Sequence, residues 1–544
     1  MTTPRASTVV TGQVVVAAHP QGVETAEAIG LADGRVVAVG TRGEVTGAAI
    51  PGARLVEAGP AAVVPGLCDF HLHLMGMAIA RRQVRLDEAT SPEQLVAVMR
   101  EAAARLAPGE WLRGFGWHDA VLRAADPDAL EAAIGGRPAL LWSHDKHSAW
   151  ASSAALAVAG IDERTPDPDG GRIEHDASGH PNGILRERAA DAFDRVAAGD
   201  DAGGLDEALD QTLAELASYG VTAAVDAGDA TADGGSGPYA ALGESASILL
   251  QSHIPDGRLR LTVNLPAAAI GAAAGLGVRT GDPVDGQGTL NIGWAKAFID
   301  GALGSRTAAL FEPYTCGSEP DTGIARLDAA ELARIVIAGR HAGISLAIHA
   351  IGDRGAATVL DVLEAGPPRQ DGAPPDRIEH LQLLRLADAG RLAAADVTAS
   401  IQPIHCASDR GLVDGCWADR ADRAYPWAAL RDAGTRFAFG SDAPIELPNP
   451  WLGMYAAVHR RLAGDGTPDW HPEHAFTMPA ALAGYTSGAA AAGAWPDRGH
   501  LRPGAAADLA VLNVPLERLL KGDDDLANVR SVLTLVAGHD VPIG

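Results

Sequence analysis

The stretch VVPGLCDFHLHL, residues 63–74, joins an apolar run to a Pro-Gly pair and then to two histidines one residue apart, His71 and His73. A short apolar run bounded by turn residues reads as a buried strand. In a strand, residues two apart face the same side, so Asp69, His71 and His73 project together. Two imidazoles on one face suit a metal ion, yet H-x-H alone reads equally well as two incidental polar residues. The rest of the chain decides between them.

Seven further runs of this kind follow: VTAAVDAG (221–228), LRLTVNL (259–265), NIGWAKAFID (291–300), ISLAIHA (344–350), RIEHLQL (377–383), TASIQPI (398–404) and RFAFGSD (436–442). With AVVPGLCDF (62–70) they make eight, and helical stretches such as GLDEALDQTLAELASYG and DAAELARIVIAGRHAG lie between several of them. Near-continuous apolar strands alternating with helices predict a parallel sheet, and eight such units predict an α/β fold of the (β/α)8 TIM-barrel type over 63–80 and 201–494. The two ends differ. STVVTGQVVVAA and AIGLADGRVVAVG at the start, and ADLAVLNV and VRSVLTLVAGHDV at the finish, are β-branched runs broken by glycine turns. Neither end has strands enough to stand alone, so 1–62 and 495–544 are expected to pair into one small β-sandwich domain. Residues 81–200, rich in Trp, Gly, Asp and Pro, interrupt the barrel rhythm and are expected to form an inserted α+β subdomain after the first barrel strand, near the active-site mouth.

Composition narrows the function. With 544 residues, of which 47% are hydrophobic and 21% charged, the chain is an ordinary globular one with room for accessory parts. A net charge of -26 repels phosphate backbones and anionic lipid, and no Lys/Arg run offsets it, so neither nucleic acid nor membrane is an expected partner. The N-terminus lacks an apolar signal core and no stretch is long enough to cross a bilayer, which points to the cytoplasm. The four cysteines, Cys68, Cys316, Cys406 and Cys416, form no CxxC pair and are expected to be reduced thiols.

Of 43 basic residues only Lys146, Lys296 and Lys521 are lysine. Lys296 lies in GWAKAFID, on the face of Trp294 and Phe298 in a strand expected to be buried. A buried ammonium needs a counter-charge or must lose its own charge, and arginine cannot do the latter. Either Asp300 pairs with Lys296 structurally, or the neutral amine does chemistry. His349 closes SLAIHA, His380 sits in RIEHLQL and Asp442 ends FAFGSD. Strands one, four, five, six and eight thus each bring a metal-competent side chain to the rim where barrel active sites form. No G-x-S-x-G, P-loop, H-E-x-x-H or Rossmann fingerprint competes.

Taken in order, PGLCDFHLHL, AKAFIDGALGSRTAAL, IHAIGDRG, RIEHLQ and GSDAPI resemble the amidohydrolase superfamily, and within it the YtcJ-type group of the amidohydrolase 3 family, which includes N-substituted formamide deformylase. HSAWASSAAL, DGGRI, PNGILRERA and LRPGAAADLAVL extend the likeness over nearly the whole chain, although relatives often carry asparagine where Ser152 stands. The resemblance implies a binuclear hydrolase. His71, His73 and Asp442 would hold one divalent ion, the zinc usual in relatives, and His349 and His380 a second, with Lys296 carboxylated to a bridging carbamate.

A metal-activated hydroxide would then cleave a C–N bond that is not in a peptide, in an amide, N-substituted formamide or carbamate, with Asp442 moving the proton. Similar barrels also support decarboxylation or isomerisation of small carboxylic acids and hydrolysis of esters or lactones. Arg306, His147 and Trp150 are candidates for lining the substrate pocket or for structural roles, and His405 lies at the right rim for substrate contact. Asp69 reads as a support for the site or as purely structural. His459, His471 and His474 read as surface or packing residues. The resemblance also suggests a homodimer.

Overall fold

The eight apolar runs become the eight parallel strands of one sheet: Leu67–Leu72, Val221–Asp226, Arg260–Pro266, Leu290–Phe298, Leu346–Ala350, Arg377–His380, Thr398–Ile401 and Arg436–Phe439, hydrogen-bonded in chain order. These elements come from a computed structural model that describes residues 5–193, 204–228, 237–251, 257–284, 286, 288–317 and 319–543. The first, second, third, fifth, sixth and seventh strands are buried at every position, which is why they read as continuous apolar runs rather than as alternations. Beyond the eighth strand the Asp442 N–H donates to the His71 carbonyl at 2.7 Å and the His73 N–H to the Ala443 carbonyl at 2.8 Å, so the ring nearly closes at the two histidines. Gly66, from the opening stretch, is required by close approach: a Cβ there would lie 2.0 Å from Thr222 Oγ1 on the second strand. Helices cover the barrel between strands. The one at Ala329–Ala342 starts in a capping box of Asp328 and Glu331 and stops at Gly343, whose φ is +73°.

The two chain ends share one seven-stranded sheet, in the order His539–Val541, Ser531–Val536, Leu509–Pro515, Arg54–Pro65, Thr8–His19, Gly22–Ala32, Arg35–Gly40. Register shifts interrupt Thr8–His19 where it pairs with Gly22–Ala32. Val10, Val14, Ile29 and Leu31 from the start meet Val511 and Leu535 from the finish in one core.

After the first barrel strand comes a six-stranded mixed sheet, in the order Gly171–His175, Pro181–Glu187, Ser148–Ala151, Ala139–Ser143, Leu112–Trp117, Val84–Arg85. One core of this insert contains Leu95, Met99, Leu130 and Ile134 with Trp117 and Trp150; another contains Ala149, Ala151, Leu156 and Phe193. Ser152 caps the helix Ser153–Ala159 by accepting from the Ala155 N–H at 3.2 Å. The boundary expected between residues 200 and 201 lies outside the described residues.

One expectation is overturned. Cys316 and Cys416 form a disulfide, while Cys68 and Cys406 are free and buried. The partners are 100 residues apart, so no local motif announces them; the barrel brings their loops together, and the Thr315 N–H donates to the Cys416 carbonyl at 3.0 Å. Closing a loop of that length stabilises mainly by restricting the unfolded chain. Cys316→Ser is therefore expected to cost about 2–4 kcal/mol in denaturant unfolding under oxidising conditions, and a wild-type midpoint unmoved by reductant would contradict this. Among the described residues no helix is long and apolar enough to cross a membrane.

Candidate metal centre

The ends of the first and eighth strands meet at one carboxylate. Asp442 Oδ1 lies 3.3 Å from His71 Nε2 and 3.4 Å from His73 Nε2, and Oδ2 lies 3.2 Å from His405 Nε2. Two groups of potential metal donors result, His71–His73–Asp442 and His380–His405–Asp442, each with donor atoms within 4.8 Å of one another. Asp442 and His380 both hold left-handed backbone, with φ of +61° and +75°. Such conformations cost about 1–3 kcal/mol each and persist where surrounding structure imposes them. Burial works to raise the Asp442 pKa, but the adjacent rings of His405, His71 and His73 hold it well below the usual carboxylate range.

The buried histidines are oriented by acceptors behind them. His71 Nδ1 donates to Glu379 Oε2 at 2.7 Å, His380 Nδ1 to Gln402 Oε1 at 2.8 Å, and His349 Nε2 to the Gly301 carbonyl at 3.1 Å. With one ring nitrogen holding the proton, the other presents a lone pair, which is the metal-ligating tautomer. Burial is the leading cause that pushes the pKa of His73 down to about 4, and it drives those of His349 and His380 well below normal, so these rings are neutral. His71 Nε2 is fully buried and has no hydrogen-bond partner. A lone pair facing a carboxylate oxygen favours positive charge between them, which a divalent cation held with His73 would supply. The residues present thus fit a metal ion.

Lys296, on the fourth strand, is 2% exposed, and its Nζ sits 4.8 Å from the Phe298 ring centroid. Burial lowers its pKa to about 8, although Glu379 and Asp442 pull the other way. The structural alternative fails, because Asp300 is engaged elsewhere: its carboxylate accepts from the backbone N–H groups of Ala309, Ile351 and Gly352 at 2.8–3.1 Å. Asp69 Oδ1 accepts from the His71 N–H at 3.2 Å and the Ser441 N–H at 3.0 Å, tying the first strand to the end of the eighth.

His349, His380, His405 and Asp442 form the floor of a cavity of about 170 Å³, whose opposite wall comes from the insert, including His147, Asp145 and Trp117. His147 is held by Glu187 at 3.0 Å and its ring lies 4.8 Å from that of His349. His405 lies between Asp442 and Glu446; burial opposes its charge, yet the two carboxylates raise its pKa to about 10.

The structure does not bring Arg306 or Trp150 to the cavity lining. Strand alternation turns Trp150 into the insert's core, where it is 4% exposed. Arg306 sits in a left-handed turn (φ +54°) that sends its guanidinium toward Gly317, where a Cβ would be 2.9 Å from Nη1. His459, His471 and His474 also lie away from it, and His459 Nε2 donates to the Gly522 carbonyl at 2.7 Å.

Glu379 escaped sequence reasoning. It neighbours His380, and only the left-handed turn at His380 lets both serve one site. The available signal was Arg377-x-Glu379 on one strand face: Arg377, sandwiched between Phe70 and Trp294 at 4.7 and 4.5 Å, places Nε 2.6 Å from Glu379 Oε1. Glu379→Gln keeps the shape but loses the charge behind His71, and is expected to weaken metal binding by about 10–100-fold, measured by chelator competition. Unchanged affinity would remove Glu379 from this chain of contacts.

Comparison with known proteins agrees with this geometry. A model described as the amidohydrolase family matches residues 54–542. The Bacillus subtilis protein YtcJ is 31% identical over 474 residues, covering 83% of this chain and 84% of its own. An N-substituted formamide deformylase of Arthrobacter pascens is 28% identical over 505 residues, with 90% of each chain covered. A solved structure of an uncharacterized metal-dependent hydrolase from Pyrococcus horikoshii superposes with a TM-score of 0.71 at 24% identity, covering 93% of this chain and 97% of its own. Barrel, composite terminal sheet and donor cluster therefore have one explanation: the chain belongs to the amidohydrolase family.

Proposed function

We propose that this protein is a metal-dependent hydrolase of a non-peptide C–N bond, in an amide, N-substituted formamide or carbamate. The observation that carries the proposal is Asp442 shared between two donor groups at the floor of a cavity. Likeness to an N-substituted formamide deformylase favours the formamide end of that range. In this reading His71, His73 and Asp442 would hold one divalent ion, zinc by the nitrogen and oxygen donor set, and His349 and His380 a second, with Lys296 as a carbamate contributing oxygen donors. When bound, the metals supply Lewis acidity and acidify water.

The chain's own residues do the rest. Glu379, Gln402 and Gly301 fix the imidazole tautomers, so the ligands need no reorganisation on binding. Asp442 accepts the proton of the attacking water at its carboxylate and passes it to the departing nitrogen. Its depressed basicity makes that second transfer easy, and His405 beside Oδ2 keeps the group ionised between turnovers. His147, Asp145 and Trp117 on the insert close the cavity above the donors and help exclude bulk water. Hydrolysis breaks the C–N bond and leaves an amine with a carboxylic acid, or, from a carbamate, with a carbonic monoester that loses carbon dioxide.

A panel of simple amides, formamides and carbamates, assayed for amine release, tests the proposal. Carbon dioxide release from aromatic acids without amine release from any amide would replace it with a decarboxylase. Removal of metal by chelator is expected to abolish turnover, and zinc to restore it.

A further inference from the structure

Residues 144–147 form the turn between two strands of the insert, and from it Asp145 and His147 line the cavity. Asp145 Oδ1 is tied down: it accepts from the Ser143 and Ser305 hydroxyls at 2.6 and 2.9 Å and from the His147 N–H at 3.1 Å. Oδ2 accepts no hydrogen bond, yet it is not shut off from solvent. It faces Gly304 on the adjoining wall, where a Cβ would lie 2.9 Å away, so the glycine leaves this oxygen uncovered. Burial opposes the charge, but the His147 ring and the two hydroxyls hold the Asp145 pKa below its ordinary value. No cation pairs with it among the described residues. Lys146 takes a left-handed backbone (φ +56°) and carries its Nζ to the Phe115 ring, 5.2 Å from the centroid. His147 is held by Glu187, and His405 by Asp442 and Glu446. The described lining of the cavity contains no Lys or Arg. A half-buried carboxylate without a counter-charge is unfavourable in the free protein and rewards a ligand that brings one.

We infer that Asp145 is a specificity-determining residue that pairs with a cationic group, an ammonium or guanidinium, on the non-reacting portion of the substrate. The inference rests on the hydrolase reading above. With the scissile carbonyl at the donor cluster on the floor, a substituent that reaches the insert wall meets Asp145. That wall stands a few bonds from the floor, since the His147 ring lies 4.8 Å from that of His349. A carboxylate whose other oxygen is already held loses little freedom on pairing, and a charge-assisted hydrogen bond is among the stronger ones. The same oxygen repels a carboxylate at that end of the substrate, and a neutral substituent leaves it unpaired.

The test uses the full-length, zinc-loaded enzyme and matched amides that differ only in the terminal group. With the charge on the amine side these are the monoacetyl amides of butanediamine, pentylamine and ω-aminovalerate. With the charge on the acyl side they are the N-methylamides of ω-aminovaleric, hexanoic and adipic acid, the last as its monoamide. Wild type is expected to favour the ammonium member over its neutral isostere by about 10–100-fold in kcat/KM on at least one side, and to disfavour the carboxylate member. D145N keeps the oxygen held by the two hydroxyls and loses the charge, and is expected to bring that ratio to within about threefold. G304A sets a methyl against Oδ2 with Asp145 still in place, and is expected to lower the ratio as well. Metal content and melting temperature show that each variant is folded and loaded. Wild-type ratios near one on both sides, a preference for the carboxylate member, or a ratio unchanged in both variants would each overturn the assignment. Cleavage of no member would instead refute the hydrolase reading beneath it. Binding of n-butylammonium against n-butanol, read by ligand-observed NMR on the same protein, then decides: tighter ammonium binding that D145N abolishes supports Asp145, and equal binding overturns it.

Discussion

Lys296→Ala is expected to strip most of the bound metal and to lower kcat/KM by roughly 1,000-fold, the scale of several kcal/mol of lost metal-assisted stabilisation. The reason is the position of this side chain. It is 2% exposed on the fourth strand, and Asp300, its nearest sequence candidate for a counter-charge, is committed to three backbone N–H groups. A neutral amine there can take up carbon dioxide, releasing a proton and becoming an anion toward the metals. Small carboxylic acids such as propionate are expected to restore part of the metal content and part of the rate to the alanine variant, because they replace the lost oxygens. Metal analysis beside activity separates this from mere loss of packing, which would lower the melting temperature and leave the folded fraction metallated. A fully metallated, active Lys296→Ala enzyme would sink the carbamate.

Asp442→Asn is the second large effect, with kcat expected to fall by about 1,000-fold or more through loss of both the proton carrier and a charged ligand. Asparagine preserves the outline of the side chain, so the left-handed turn at residue 442 and the hydrogen bond from its N–H to the His71 carbonyl can persist. What disappears is the negative charge facing His71, His73 and His405. Circular dichroism and thermal melting report whether the fold is intact, while single-turnover kinetics report the chemical step. A variant within tenfold of wild type would remove Asp442 from the reaction.

Several features of the site were legible from residue type and spacing. His71, His73 and Asp442 converge because strands begin and end where apolar runs begin and end, and a parallel barrel gathers those ends at one rim. His349 and His380 arrive by the same rule. His405 was placed at that rim too, but its contact with Asp442 and Glu446 depends on how the seventh and eighth strands sit side by side. Arg306 and Trp150 show the opposite limit. Each stands in a polar or aromatic context suggestive of a pocket, and one turn of backbone or one step of strand alternation carries it elsewhere. The Cys316–Cys416 pair and the Arg377–Glu379–His71 series were hidden for a related reason: each links segments far apart in the chain, and no local pattern encodes such a contact.

The sequence by itself determined the eight barrel strands in order, because hydrophobic periodicity and turn residues act locally; for the two ends it predicted a sandwich, whereas the structure joins their strands in one seven-stranded sheet. The sequence also determined which residue types could ligate a metal. Only the tertiary structure decided that Asp442 stands between two histidine groups, that Asp69 supports backbone rather than the donor cluster, that Asp300 is not the partner of Lys296, and that Asp145 keeps one oxygen unpaired. Those outcomes depend on distances of about 3 Å between residues hundreds of positions apart, which hydrogen bonding and burial settle only after the chain has closed on itself.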